Sequence, residues 1–256
     1  MRIAFTALAL LPAVALAGSA LDGTWKLRPD SMKTSGKADS RVIENGTYTC
    51  STCVPPIDKL PADGAYHKLT GHPYYDEMKV TIVSPTSIEI ATQRGGKPAG
   101  VTTYTLSADG NTANGKFTDY SGSAPATGTF TDKRVGPAPA GAHAMSGSWM
   151  PGSLSSANDA LSIVAYTMTS DGFSMKSNGQ SYDAKFDGKQ YPITGDPGGT
   201  KVTLKRIDDH TVQETDYRMG KVVDEIHLAA VGSALELTDK DVAHGQTTTM
   251  TFDKQP

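Results

Sequence analysis

The chain has 256 residues and a formal net charge of −3; 38% of the residues are hydrophobic and 7% are aromatic. Lys and Arg are scattered without a basic run or stripe. Phosphate neutralisation needs clustered cations, so we expect no nucleic-acid partner and no anionic membrane surface as a partner. At this length, the chain can form one large domain or two domains of about 110–120 residues.

The first 17 residues, MRIAFTALALLPAVALA, have the order of a secretory signal. A positive charge at Arg2 precedes an apolar run, and Ala15-Leu16-Ala17 provides a small-residue cleavage site. The apolar run is shorter than the roughly 20 residues that a membrane-spanning helix needs, and no later stretch comes close. We therefore expect residues 1–17 to be a signal peptide and the protein to be exported, periplasmic or extracellular, with no membrane span.

The only two cysteines, Cys50 and Cys53, stand in TYTCSTCVPP. In an oxidising compartment, two cysteines at this spacing are more often a disulfide than a metal site. A redox pair usually has its first cysteine at the start of a helix, and the two prolines that follow here disfavour a helix. We predict a structural disulfide between Cys50 and Cys53, with redox or metal use as the alternative.

A motif that occurs twice organises the chain. The stretch DGAYHKLTGHPYYDEMKVT at 63–81 reappears in part as DGKQYPITGDPGGTKVT at 187–203. Most of the shared positions lie 124 residues apart, and Gly23-x-Trp25 matches Gly147-x-Trp149 at the same spacing. The Lys-Val-Thr that ends each stretch implies a local slip of two residues. So many matches indicate a duplicated domain.

Short runs of alternating polar and apolar residues fill both copies, and turn-forming residues separate them. In Thr86-Ser-Ile-Glu-Ile-Ala, for example, Ile88 and Ile90 would face a core. No window has a sustained helical period. We predict an all-β protein made of two tandem antiparallel β-barrels, up-and-down in topology, with about eight strands each. The predicted limits are 18–134 for the first barrel, 135–144 for a linker rich in Pro, Ala and Gly, and 145–256 for the second barrel.

A resemblance to known proteins accompanies this pattern. The two Gly-x-Trp motifs, each followed by up-and-down strands, resemble the opening of lipocalin-type barrels, in which the Trp packs across the closed end. The segments GTWKL, YTCSTCVPP, DGAYHKLTGHPYYDEMKV, YDAKFDGKQYPITGDP and VTLKRIDDHTVQETDYRMGKVV are similar to a group of secreted bacterial proteins with tandem lipocalin-like or similar all-β domains. That group has no established activity, so the resemblance implies a fold and no functional residues.

Chemically active side chains are densest around His67 and His72. Imidazoles and nearby carboxylates could bind zinc or copper, but a metal site needs three or four converging ligands, and a solvated loop explains the same residues. No Gly-x-Ser-x-Gly motif occurs. We predict neither a cofactor nor a catalytic residue.

The sequence therefore favours an exported, non-enzymatic binding module with a small apolar or aromatic ligand inside a barrel. One alternative is a structural or protein-interaction module of the cell envelope. The other is a metal-dependent enzyme that uses His67 and His72. The aromatic side chains that we expect to contact a ligand are Trp25, Tyr66, Tyr74, Trp149, Tyr182 and Tyr191.

Overall fold

The computed structural model describes residues 18–256, and the predicted signal peptide at 1–17 lies outside the described residues. The strands up to the middle of the chain are β1 (Gly23–Leu27), β2 (Lys33–Gly36), β3 (Asp39–Glu44), β4 (Thr47–Cys50), β5 (Ile57–Pro61), β6 (Tyr66–Lys68), β7 (Glu77–Ser84), β8 (Ser87–Arg94), β9 (Lys97–Leu106), β10 (Thr112–Asp119), β11 (Ala126–Gly136) and β12 (Gly147–Ala157). The later strands are β13 (Ile163–Met168), β14 (Gly172–Ser177), β15 (Gln180–Lys185), β16 (Tyr191–Pro192), β17 (Lys201–Arg206), β18 (Thr211–Arg218), β19 (Lys221–Val231), β20 (Ala234–Asp241) and β21 (Gln246–Lys254).

These strands form two antiparallel, barrel-shaped sheets, each nearly closed. The first has ten strands in the spatial order β5-β4-β3-β12-β11-β10-β9-β8-β7-β6. The second follows the order β15-β14-β13-β1-β21-β20-β19-β18-β17-β16, and β2 also pairs with β21. The prediction of an all-β protein with two antiparallel barrels is confirmed, although each barrel has ten strands where we expected about eight.

The two barrels have the same topology, but β1 and β12 have exchanged places relative to the sequence repeat. Strand β12, which begins the second copy, pairs with β3 and β11 of the first barrel. Strand β1, which begins the first copy, pairs with β13 and β21 of the second barrel. The barrels therefore do not follow the predicted limits of 18–134 and 145–256: β12 belongs to the first barrel, and the stretch before β3 belongs to the second.

The two tryptophans nevertheless have equivalent surroundings. Trp25 pairs with Lys254, and Trp149 pairs with Arg134, so that each indole lies beside a cation of the neighbouring strand. Each indole N–H donates to a backbone carbonyl four residues earlier, at 2.9 Å for Trp25 and 3.1 Å for Trp149. Both rings are buried. The exchanged strands therefore fill matching positions in the two barrels.

The predicted linker connects two strands of one barrel. Strand β11 runs into 135–144 as far as Gly136, and the rest of that segment leads to β12. Arg134 donates to the carbonyl oxygens of Ala144 (2.6 Å) and Ser146 (2.5 Å), and the backbone N–H of His143 donates to Ile43 O at 2.8 Å. These contacts fasten the segment to the first barrel, so it is not a tether between independent units.

The chain passes between the barrels twice, first between β2 and β3 and then, after β12, through a short helix, α1 (Asp159–Ser162). The Asn158 side chain caps it by accepting a hydrogen bond from Leu161 N at 3.1 Å. The only other helical segment in residues 18–256 is a 3₁₀ turn at Pro29–Ser31. Neither is long and apolar enough to cross a membrane.

The pairing of β7 and β17 corrects the predicted slip of two residues. Val80 pairs with Ile90, and Leu204 pairs with Glu214. Since Ile90 and Glu214 are 124 residues apart, Val80 corresponds to Leu204. The repeated Lys-Val-Thr is therefore a coincidence of sequence, and the spacing of 124 holds through β7, β8 and β9.

Candidate functional site

A cavity of about 1100 Å³ opens in the first barrel, at the end that faces the second barrel. Inward-facing residues of β3, β4 and β8–β11 form most of its lining, and Leu27, Met32, Met250 and Phe252 of the second barrel contribute part of one wall. Its volume lies just above the roughly 300–1,000 Å³ of typical small-molecule binding sites, so a small ligand would fit inside it. Leu27 and Met32 lie in the stretch before β3, which belongs to the second barrel. The strand exchange therefore helps to form the wall of this cavity.

A buried ion pair lies in the cavity lining. Arg41 Nη2 donates to Asp132 Oδ2 at 2.7 Å, and each side chain is only 8% exposed. The Arg41 guanidinium also lies 4.2 Å from the centre of the Tyr104 ring. Burial raises the pKa of Asp132 although Arg41 opposes the shift. Buried charges are expensive unless they are paired, so this pair needs both its members.

The side chain of Tyr48 lies next to this pair and is 4% exposed. Burial raises the pKa of its hydroxyl. Tyr48 also lines the cavity. A ligand with a polar group could therefore bond to this hydroxyl.

Two tyrosines of the repeated motif stand at the rim. Tyr75 stacks on His72 with ring centres 4.8 Å apart. Tyr74 accepts a hydrogen bond from Arg218 Nη2 at 2.5 Å, and its ring centre lies 4.8 Å from the Arg218 guanidinium carbon. Arg94, the counterpart of Arg218 in the first copy, donates to the carbonyl oxygens of Pro73 and Pro197. The two copies of the motif thus meet at the edge of the cavity.

The remaining walls are largely apolar. Phe117 and Phe130 have ring centres 6.0 Å apart, and Tyr104 meets Phe130 edge-to-face at 5.7 Å. Ile90 adds an aliphatic surface. Such walls favour a ligand with an aromatic or aliphatic body, because its burial removes apolar area from water.

Small residues keep the first barrel open where the second barrel has larger ones. Gly100 and Thr102 of β9 line the cavity, and their counterparts in β19 are Asp224 and Ile226. The correspondence follows from the shared hairpins that begin at Arg94 and Arg218. At these two positions, the second barrel therefore has larger side chains than the first.

The second barrel has a cluster of buried acids at its equivalent end. Tyr182 donates to Glu214 Oε2 at 2.5 Å. Burial and the neighbouring Glu214 raise the pKa of Asp216 to about 9, and burial and Asp224 raise that of Asp239 to about 7. One oxygen of Asp216 and one of Asp239 are buried without a hydrogen-bond partner within residues 18–256. Asp216 is therefore protonated at neutral pH.

The predicted contact residues are divided among four environments. Only Tyr74 lines the cavity. Trp25, Trp149 and Tyr182 are buried in the barrel cores, and Tyr66 lies exposed on β6 with Lys79 5.5 Å from its ring centre. Tyr191 is half-buried on β16 and donates to Asp187 Oδ2 at 3.1 Å.

The two histidines of the metal hypothesis are engaged separately. His67 Nε2 lies 2.9 Å from Asp63 Oδ1, whereas His72 stacks on Tyr75. Burial lowers the pKa of His72. Within residues 18–256, no three side chains of His, Cys, Asp or Glu are placed to hold a metal ion.

Cys50 and Cys53 form a disulfide with an S–S distance of 2.04 Å, as predicted. Both residues also line the cavity, where Cys53 N donates to Cys50 Sγ. Thr52, between them, accepts a hydrogen bond from Ser40 N at 2.9 Å. The disulfide loop is thus fixed to β3 and forms a side of the opening.

Sequence reasoning missed Arg41, Asp132 and Tyr48. A signal for Arg41 was present: in Asp39-Ser-Arg-Val-Ile43, the alternation of a strand puts Arg41 on the same face as the buried Ile43. A charged residue at an inward-facing strand position indicates either a buried ion pair or a ligand-binding site. The same alternation puts Asp132 on the face of β11 that also buries Ala126 and Gly128.

Comparison of this chain with known protein families, with curated proteins and with solved structures finds no match.

Proposed function

We propose that this protein is an exported, non-enzymatic binding module that holds one small ligand with an apolar or aromatic body in the cavity of its first barrel. The observation that carries the proposal is the cavity of about 1100 Å³, which combines apolar walls with the Tyr48 hydroxyl in its lining. A purely structural protein needs no cavity, and a barrel filled with side chains would be sufficient for it. The open cavity therefore favours a binding function.

Export is supported by two features of the chain. Residues 1–17 have the pattern of a signal peptide, and Cys50 and Cys53 form a disulfide, which is typical of oxidising compartments. We propose a periplasmic or extracellular location on this basis.

A fluorescent apolar probe tests the proposal. N-phenylnaphthylamine is uncharged at neutral pH and becomes bright when it leaves water. Its titration into the purified protein should give a saturable rise at one probe per chain, because the counterparts of Gly100 and Thr102 are larger in the second barrel. A linear, non-saturating signal would overturn the proposal.

A further inference from the structure

Carboxylates dominate the charged groups around the cavity. Its lining includes Asp39, Asp119, Asp132, Asp196 and Asp241, against Arg41 and His244. The cations are already paired: Arg41 with Asp132 at 2.7 Å, and His244 Nδ1 with Asp241 at 2.5 Å. The cavity therefore has an excess of negative charge.

Three of these carboxylates have only neutral donors. Asp39 accepts from the Gln246 side chain at 3.2 Å, Asp119 from Ser121 N at 2.6 Å and Asp196 from Thr200 N at 2.7 Å. None of the three forms an ion pair with another group in residues 18–256. Asp39 is also within range of the charges of Arg41 and His244, which oppose the rise that burial causes in its pKa. Asp119 and Asp196 can attract a cation from the cavity.

One further acidic residue stands beside the cavity lining. Asp224 pairs directly with Asp241 in the ladder between β19 and β20. A cleft lined by charge of one sign, between walls of low dielectric, concentrates ions of the opposite sign.

Aromatic faces provide a second means of holding a cation. The protein already places Arg41 over Tyr104 and Arg218 over Tyr74. Tyr75, Phe117 and Phe130 also line the cavity. A cation over such a face is attracted to the electron-rich ring, most strongly away from water.

We infer that the ligand is an organic cation: an ammonium or similar group on an apolar or aromatic body. The body lies against Phe117 and Phe130, the cationic group faces Asp39 and Asp119, and an N–H donates to the Tyr48 hydroxyl. This inference rests on the proposed function and specifies the ligand's charge.

Three probes with one body and different charges test the inference. They are naphthylethylamine, naphthylethanol and naphthylacetic acid, which are cationic, neutral and anionic at neutral pH. Isothermal titration calorimetry should rank the amine first and the acid last, with the amine at least about tenfold tighter than the acid. Added salt should weaken only the binding of the amine, since screening acts on charge.

The outcomes separate the two proposals. Equal affinities, or tighter binding of the acid, would overturn the cation inference and leave the binding function standing. If none of the three probes binds, the binding function fails as well.

A carboxylate variant locates the effect. Asp39→Asn keeps an acceptor oxygen for Gln246 but removes the charge. It should lower the affinity for naphthylethylamine by roughly fivefold and leave the affinity for naphthylethanol unchanged. Asp58→Asn removes a charge from an exposed position on β5 outside the cavity and should change neither affinity. Asp119→Asn serves as a second variant if Asp39→Asn does not fold. An unchanged amine affinity in folded variants at both positions would contradict the inference.

Discussion

Trp25 pairs with Lys254 across the first and last strands of the described chain, and the Lys254 ammonium lies 5.3 Å from the centre of the Trp25 ring. The second barrel therefore closes only when β1, at the start of the described residues, lies between β13 and β21. The first barrel does not need a strand from the beginning of the chain, because its own Gly-x-Trp strand, β12, is the next strand after β11. The two barrels thus differ in how they depend on the chain's beginning.

Removal of residues 18–36 should open the second barrel selectively. The deletion takes β1 and β2 from beside β21 and leaves the edges of β13 and β21 without partners. A synthetic peptide of residues 18–36 should bind in the gap and restore the lost stability. Calorimetric thermal unfolding of the truncated protein, with and without the peptide, measures this effect.

The matched control is the same peptide with Trp25→Ala. Trp25 is 1% exposed, and a Trp-to-Ala change in a core costs about 3–5 kcal/mol, so this peptide should not restore stability. A truncated protein that unfolds like the intact one would contradict the strand exchange.

Replacement of Arg41 by Met should strongly destabilise the first barrel. The change leaves Asp132 buried without its partner, and the expected loss in the free energy of unfolding is about 3–5 kcal/mol. The double variant Arg41→Met/Asp132→Leu should lose less than the single variant, because no charge is then left unpaired. Urea unfolding of the single variants Arg41→Met and Asp132→Leu and of the double variant gives the three values. A loss in the double variant equal to the sum of the two single losses would show that the pair is not coupled.

The acids of the second barrel should make the protein less stable as the pH rises. The pKa of Asp216 is about 9 and that of Asp239 about 7 in the folded state, both above the value of about 3.9 for an unfolded Asp. Between these values, the folded state binds more protons than the unfolded state, so the free energy of unfolding falls from pH 4 towards pH 9. Thermal unfolding across this range should show a falling melting temperature.

Asp216→Asn provides the test of the cause. An amide cannot ionise, so this variant should be more stable than the wild type at pH 9 and should have a flatter pH profile. Asp58→Asn, an exposed change in the first barrel, should leave the profile unaltered. A profile that remains as steep in Asp216→Asn would place the pH effect elsewhere.

Local patterns were enough to predict the strands and the duplication. Alternation such as Ile88 and Ile90 on one face was confirmed, and so was the equivalence of Trp25 and Trp149. These features depend on neighbouring residues or on similarity between copies, and both can be seen in the sequence.

The strand exchange could not be predicted, because the two Gly-x-Trp strands fit either barrel equally well. The choice depends on chain connection: β12 pairs with the strand just before it, which leaves β1 for the second barrel. Local contacts of this kind have a small cost in loop entropy. The same argument explains why 135–144, fixed by Arg134, is not a linker.

The site was hidden from the sequence for a similar reason. Arg41 and Asp132 are 91 residues apart and meet only when the barrel closes. The cavity itself depends on an absence of side-chain volume at Gly100 and Thr102, and small residues at two strand positions do not indicate a cavity until the opposite walls are known.

The most direct test of the binding function is to fill the cavity. Thr102 points into it, whereas its neighbour Thr103 does not line it. Thr102→Trp should therefore abolish the saturable binding of N-phenylnaphthylamine, measured by probe fluorescence excited outside the tryptophan band, while Thr103→Trp should bind as the wild type does. Retained binding in a folded Thr102→Trp protein would contradict a ligand site in the first barrel.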